Sequence, residues 1–298
     1  MIQPPLVSCI MPTYNRRRFI RQAVGCFNRQ DYPNLELIVI DDGTDPIADL
    51  LPADPRIVYV RKQQRMTIGA KRNLACELAR GEFVVHWDDD DWYAPARVRR
   101  QVVALQETGA DLCASGAMYY RDVSGRAAYL IDARRMCSSH GPVAHGATFA
   151  YRRGVWANNR FPDWQTGEDT HFSCRMAEHR ILDIHDATLF ISSIHSANTV
   201  IPTPFSPIPA ELRMNETELR RAEGMIFWSR VSIDEINLVA SGRSPRAWPA
   251  KPIRFFSRRG CQICRFHKYH GAKDGDPQAR AAYLTHRPLS MMTMADFA

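Results

Sequence analysis

The sequence reads as an α/β protein with a mostly parallel central sheet and helices on both faces. Two observations predict this. Strand-like and helix-like apolar patterns alternate through the first 120 residues, as they do in sheets whose strands are joined by covering helices. The strand-like segments also end in polar clusters: Pro12-Thr13-Tyr14-Asn15, Asp41-Asp42-Gly43 and Asp88-Asp89-Asp90-Asp91. In open parallel sheets, ligands bind outside the carboxyl ends of the strands, so both the fold and the place of its chemistry are predicted together.

Residues 6–11 read as a buried strand closed by Pro12. Over 16–29, Phe19, Ile20, Ala23, Val24 and Phe27 recur at helical spacing. Strands follow at 35–40 and 56–60, a helix at 68–79 closed by Gly81, and a strand at 82–87 that runs into the aspartates. A helix over 94–106, a strand over 111–120 and a late strand over 189–194 complete the pattern. These elements place a domain at residues 1–200. Residues 201–210 (IPTPFSPIPA) contain four prolines and read as a linker. Residues 211–298 read as a C-terminal helical and irregular extension, helical over 211–240.

Composition narrows the function classes. Of 298 residues, 45% are apolar and 10% aromatic, which excludes a disordered chain, a collagen repeat and a coiled coil. No apolar run approaches the roughly 20 residues of a membrane span, and the N-terminus has no signal-peptide pattern. A reducing cytoplasm is therefore expected, and the eight cysteines read as small buried groups rather than a disulfide framework. Net charge is +7, but unevenly spread. From Arg243 onward there are 11 Lys/Arg and 3 Asp/Glu, which leaves 28 basic and 29 acidic residues in the rest of the chain.

Four adjacent carboxylates after a buried strand repel one another unless a cation is near. Hard oxygen ligands of this kind suit Mg2+ or Mn2+ bridging to a diphosphate; a solvated acidic turn is the competing reading. Glu168-Asp169 lies just before a helix pattern. Thr166 with Asp169 three residues on resembles a capping box, and a carboxylate fixed at a helix start can also take a proton from a hydroxyl.

Five segments then occur in order: VSCIMPTYNR, LELIVIDDGTD, GAKRNLA, GEFVVHWDDDDWYAP and TGEDTHF. Together they closely resemble the family 2 glycosyltransferases of the GT-A fold, over about residues 5–200. The resemblance implies inverting, metal-dependent transfer of a sugar from a nucleotide-diphosphate donor, a UDP-sugar or a relative. The acceptor would be a carbohydrate, a lipid-linked sugar or another glycoconjugate. It implies donor contacts from Thr13, Tyr14, Asn15, Asp41, Asp42, Arg72, Asp88 and Asp89, with Asp41 reading the base. A solvated helix face is the alternative for Arg72. Mn2+ or Mg2+ would be held by Asp90 and Asp88. Asp91 would orient the neighbouring loop, Asp169 would be the general base, and Glu168 would support it or meet the acceptor.

His195-Ser196-Ala197-Asn198 resembles a late family segment that closes over the donor, so His195 joins the expected metal ligands. Trp164 is a candidate acceptor platform. Cys261, Cys264, His267 and His270 have zinc-ligand chemistry without the usual long spacer. The basic tail, with interleaved aromatics, fits peripheral contact with an anionic membrane; no nucleic-acid motif is present. Two other functions compete. A sugar nucleotidyltransferase would need a Gly-rich basic loop where Pro12-Thr13-Tyr14-Asn15 stands. A non-catalytic polyanion-binding or membrane-binding module would act through the tail.

Overall fold

The computed structural model describes residues 3–132, 145–176, 180–199, 228–244, 246 and 254–255. The linker at 201–210 and Cys261, Cys264, His267 and His270 lie outside these. Strands β1 (Val7–Thr13), β2 (Leu35–Asp41), β3 (Ile57–Arg61) and β4 (Phe83–His86) run parallel in the order β4-β1-β2-β3. Beyond β4, the short β9 (Ala150–Arg152) enters antiparallel. It is followed by β6 (Leu112–Ala114) and β10 (Ile181–Asp183), which are mutually parallel. β13 (Arg254–Phe255) closes that edge.

Every residue of β2 is buried and only Pro12 of β1 is not, which explains their near-continuous apolar sequence. Alternation along β1 divides the core. Val7, Cys9 and Met11 pack beneath helices α1 (Arg17–Asn28) and α3 (Arg97–Thr108). Ile10 faces the other side, with Ile38, Ile40 and residues of α2 (Ile68–Leu78), α4 (Arg153–Asn158) and α5 (Glu168–Cys174). Helices therefore cover both faces, as the sequence predicts, and Cys9, Cys26, Cys76 and Cys113 are free and buried.

The structure differs from the sequence expectations in three places. Residues 111–120 are not one strand. The chain breaks at Ser115, whose hydroxyl donates to the Ala117 carbonyl (2.6 Å), and passes from β6 into β7 (Ala117–Asp122) of a second sheet. That sheet runs β12-β8-β7-β11-β5, with β5 (Trp92–Tyr93), β8 (Ala128–Asp132), β11 (Phe190–Ile194) and β12 (Trp228–Arg230). The third helix begins at Arg97 rather than 94, because Trp92 and Tyr93 are claimed by pairing with β11. Residues 228–230 are strand rather than helix, paired with β8; helix follows only as α6 (Ile233–Ala240). No helix among the described residues is long and apolar enough to cross a membrane.

Candidate active site

A cleft of about 560 Å3 lies at the carboxyl ends of β1 and β4. One wall carries Thr13, Tyr14, Asn15, Arg16 and Asp88 to Asp91; the other carries Gly146, Gln165 to Thr170, and Met118 and Tyr120 of the second sheet. The two acidic motifs of the sequence thus face one space, about 80 residues apart in the chain.

Buried charge organises this space. Arg72 of α2 is 5% exposed and bridges the walls, donating to Glu168 Oε1 and, at 3.4 Å, to Asp88 Oδ1. It is not on a solvated helix face. Burial opposes the charge on Arg72, but Glu168 and Asp88 outweigh it and hold the guanidinium protonated. Burial pushes Glu168 up to about 8, with Arg72 opposing the rise. Lys71 is also buried, and its Nζ donates to Asp42 Oδ1 (2.8 Å) and the Thr13 carbonyl (2.9 Å). Burial and then the neighbouring Asp90 raise Asp89 and Asp91 well above the usual carboxylate range. Carboxyls therefore outnumber the guanidinium groups of Arg16 and Arg72 that touch them.

The aspartates divide their contacts. Asp88 is the most open, its side chain 28% exposed. Asp90 Oδ2 meets His195 Nε2 at 3.1 Å and Arg16 Nη1 at 3.3 Å. His195 is buried, stacked on Phe19 with centroids 4.4 Å apart, and its Nδ1 accepts from Ala197 N (3.2 Å). Arg16 Nη1 also stands 2.9 Å from His195 Nε2. Asp91 Oδ1 accepts from Ser193 N (2.9 Å), tying the acidic turn to β11. Among the described residues no group of three or more His, Cys, Asp or Glu side chains stands together as a metal cage. The donor chemistry of Asp88, Asp90 and His195 nonetheless suits Mg2+ or Mn2+.

Three expected residues sit elsewhere. Asp41 is fully buried and spent internally: Oδ1 accepts from Gly43 N (2.8 Å), Oδ2 from Ile47 N (3.2 Å) and Tyr59 Oη (2.8 Å). Asp42 is spent on Lys71, Arg65 and Met66 N. Neither lines the cleft: the Asp41 carboxylate shapes the loop after β2, and that of Asp42 ties the end of β2 to the segment that enters α2. Trp164 is also absent from the lining and packs edge-on against His171, centroids 5.0 Å apart. Tyr14 does face the cleft, with the Arg65 guanidinium 3.2 Å from its ring centre. Asn15 adopts a positive φ of 53° and binds Thr44 N (2.8 Å) through Oδ1. Thr166 does not cap α5; Gly167 does, at φ 79° without a side-chain bond.

Sequence reasoning missed Arg16, Lys71, Tyr120, His145 and Gly146. The first two lie inside recognisable motifs, so proximity to Thr13 and Arg72 was the available signal. The others come from the second sheet and the turn before β9, which lack such a signal.

The description of glycosyl transferase family 2 matches residues 8–165. The chain belongs to this family. Relatives of this family 2 member include WcaA of Escherichia coli K12, a glycosyl transferase assigned to colanic acid biosynthesis. It is 38% identical over 99 residues, covering 32% of this chain and 36% of WcaA. TuaG of Bacillus subtilis 168, assigned to teichuronic acid biosynthesis, is 34% identical over 108 residues, covering 35% and 43%. The chain thus matches well under half the length of either relative.

Among known structures, Staphylococcus aureus TarS in complex with UDP-GlcNAc superposes with TM-score 0.52 at 22% identity, covering 65% of this chain and 60% of that one. The mannosyltransferase PcManGT of Pyrobaculum calidifontis, in complex with GDP-Man and Mn2+, gives TM-score 0.52 at 21% identity, covering 74% and 62%. These likenesses carry the fold, which is GT-A.

Proposed function

We propose that this protein is a glycosyltransferase that moves a sugar from a nucleotide-diphosphate donor to an acceptor hydroxyl, with inversion at the anomeric carbon. The observation that carries this reading is the meeting of Asp88 to Asp91 with Glu168 and Asp169 across one cleft at the strand ends. Family membership supports the reaction class, and the UDP-GlcNAc and GDP-Man held by the two structural relatives support a nucleotide-sugar donor. A UDP-sugar is the donor we favour, with a carbohydrate or other glycoconjugate as acceptor.

In this mechanism the donor lies along the first wall. Tyr14 offers a face for the base, and the Thr13–Asn15 segment meets the nucleoside. Asp88, Asp90 and His195 would hold Mn2+ or Mg2+, whose positive charge would offset the charge developing on the departing diphosphate. Asp169, at the start of α5, accepts the proton of the attacking hydroxyl. Its Oδ1 already takes the Thr170 N–H (2.6 Å), so Oδ2 is the oxygen free to receive the proton. Arg72 keeps Glu168 and Asp88 at fixed places on opposite walls, so acceptor and donor sides stay in register. A single base suffices for inversion, unlike the paired carboxylates of glycoside hydrolysis.

The test is Asp169→Asn, which preserves shape and removes the base. Transfer should fall by about 10²- to 10⁴-fold, while calorimetric affinity for UDP-sugars in the presence of Mn2+ changes little. Retained turnover would remove Asp169 from the mechanism.

A further inference from the structure

We propose that Gly146 is a positioning residue for Asp169: the bare Cα at 146 is the seat of the base carboxylate, and His86 and Arg97 hold that seat in place. The proposal rests on the reading of Asp169 as the base. A Cβ on Gly146 would stand 2.6 Å from Asp169 Cγ and 2.8 Å from its Cβ, and would overlap Oδ2. Contacts below about 3 Å between such atoms are repulsive. Turning the Asp169 side chain would relieve Oδ2 and Cγ but not Cβ, which the helix backbone fixes. Either the 145–148 turn or the start of α5 must then shift, and a shift of α5 moves the carboxylate.

The turn has little freedom to yield. The Gly146 carbonyl can only accept, so His86 Nδ1 carries the proton it receives, at 2.8 Å. Arg97 is fully buried, with its guanidinium 3.9 Å from the Tyr93 ring centre. Its Nη2 donates to the His86 carbonyl (2.8 Å) and to the Ala147 carbonyl (3.0 Å). One cation thus ties the turn to the end of β4. Thr148 completes the frame: its hydroxyl donates to the His145 carbonyl (2.6 Å) and accepts from Ser115 N (2.9 Å). The same strand that leads into Asp88 therefore fixes, through its last residue, how close the chain comes to Asp169. Donor side and acceptor side share one rigid reference.

Two variants test this, Gly146→Ala and His86→Phe. The second leaves an aromatic ring among Phe149, Tyr151 and Phe161 but removes the donor to Gly146. Midpoint of thermal unfolding, affinity for UDP-sugar with Mn2+, kcat and donor KM are measured for each. Gly146→Ala should lower kcat about 10- to 100-fold, since a displacement of an ångström costs on the order of 10²-fold. Donor affinity and donor KM should stay within about twofold of wild type. His86→Phe should show the same split with a smaller fall, about 3- to 10-fold.

In an Asp169→Asn background, Gly146→Ala should cause no further loss of residual transfer, because the group it acts through is gone. Wild-type kcat in folded Gly146→Ala overturns the proposal, and so does a loss that persists undiminished on Asp169→Asn. A parallel loss of donor affinity and kcat also overturns it, since that marks general damage to the cleft. Should Gly146→Ala not fold, His86→Phe decides alone, and unchanged kcat there is fatal. Failure of the underlying base reading is distinct, because Asp169→Asn would itself retain turnover.

Discussion

Four consecutive aspartates cannot share one role, because successive side chains of an extended turn point different ways. Asp88 opens to the cleft, Asp91 ties the turn to β11, and Asp90 is held between Arg16 and His195. The run itself was plain in the sequence, as was its place after a buried strand; its division of labour was not, because that depends on α1 and β11 arriving beside it. Asp41 shows the reverse. Its motif was legible, yet its carboxylate is consumed by Gly43, Ile47 and Tyr59, partners that only the folded loop supplies. The proposed role of Asp90 has a direct check. Wild-type affinity for a UDP-sugar should rise when Mn2+ is added, and Asp90→Asn, which keeps the volume but removes the charge, should abolish that response. An unchanged response to Mn2+ would release Asp90 from metal binding.

At the scale of elements, α1, α2, β1, β2 and β4 were legible because their burial follows from their own periodicity. The starts of α3 and α5 were not. Each is set by a neighbour, β11 in one case and the Gly167 turn in the other. Helix α2 shows how an element positions the site through backbone contact. Gly69 N donates to the Trp164 carbonyl (3.0 Å), and a Cβ at 69 would overlap the Pro162 carbonyl. The segment leading to Glu168 therefore rests directly on the first turn of α2, the helix that carries Lys71 and Arg72. Gly69→Ala should destabilise the protein by about 1–3 kcal/mol through overpacking against backbone. Gly154→Ala in α4 has open space around it and should be neutral or stabilising by up to about 1 kcal/mol. Denaturant midpoints compare the two; equal midpoints would mean that the contact at Gly69 yields without cost.

At the scale of the whole molecule, the parallel strands β1 to β4 are a feature of the sequence, whereas most of the second sheet is a feature of the fold. Strands β5, β8 and β12 are short and are defined by pairing with distant segments rather than by pattern. The second sheet also joins the C-terminal region to the body. Val231, Ile236 and Val239 are buried against Ala117, Tyr119, Leu130 and Ile191, and Glu235 accepts from Tyr119 Oη (2.8 Å). Burying an aliphatic side chain is worth about 1.5–3 kcal/mol, so these three together contribute up to about 9 kcal/mol. That is comparable with the whole stability of a domain, about 5–15 kcal/mol. The net charge divides the chain near Arg243, with the positive excess beyond it, but packing places α6 with the body. A chain ending at 210 should therefore unfold at least about 10 °C below the full protein, whereas one ending at 246 keeps β12 and α6 and should lose far less. Equal unfolding temperatures for the full chain and the shorter truncation would show that the apolar cluster on the second sheet needs no cover, and the C-terminal region would then stand as a separate unit.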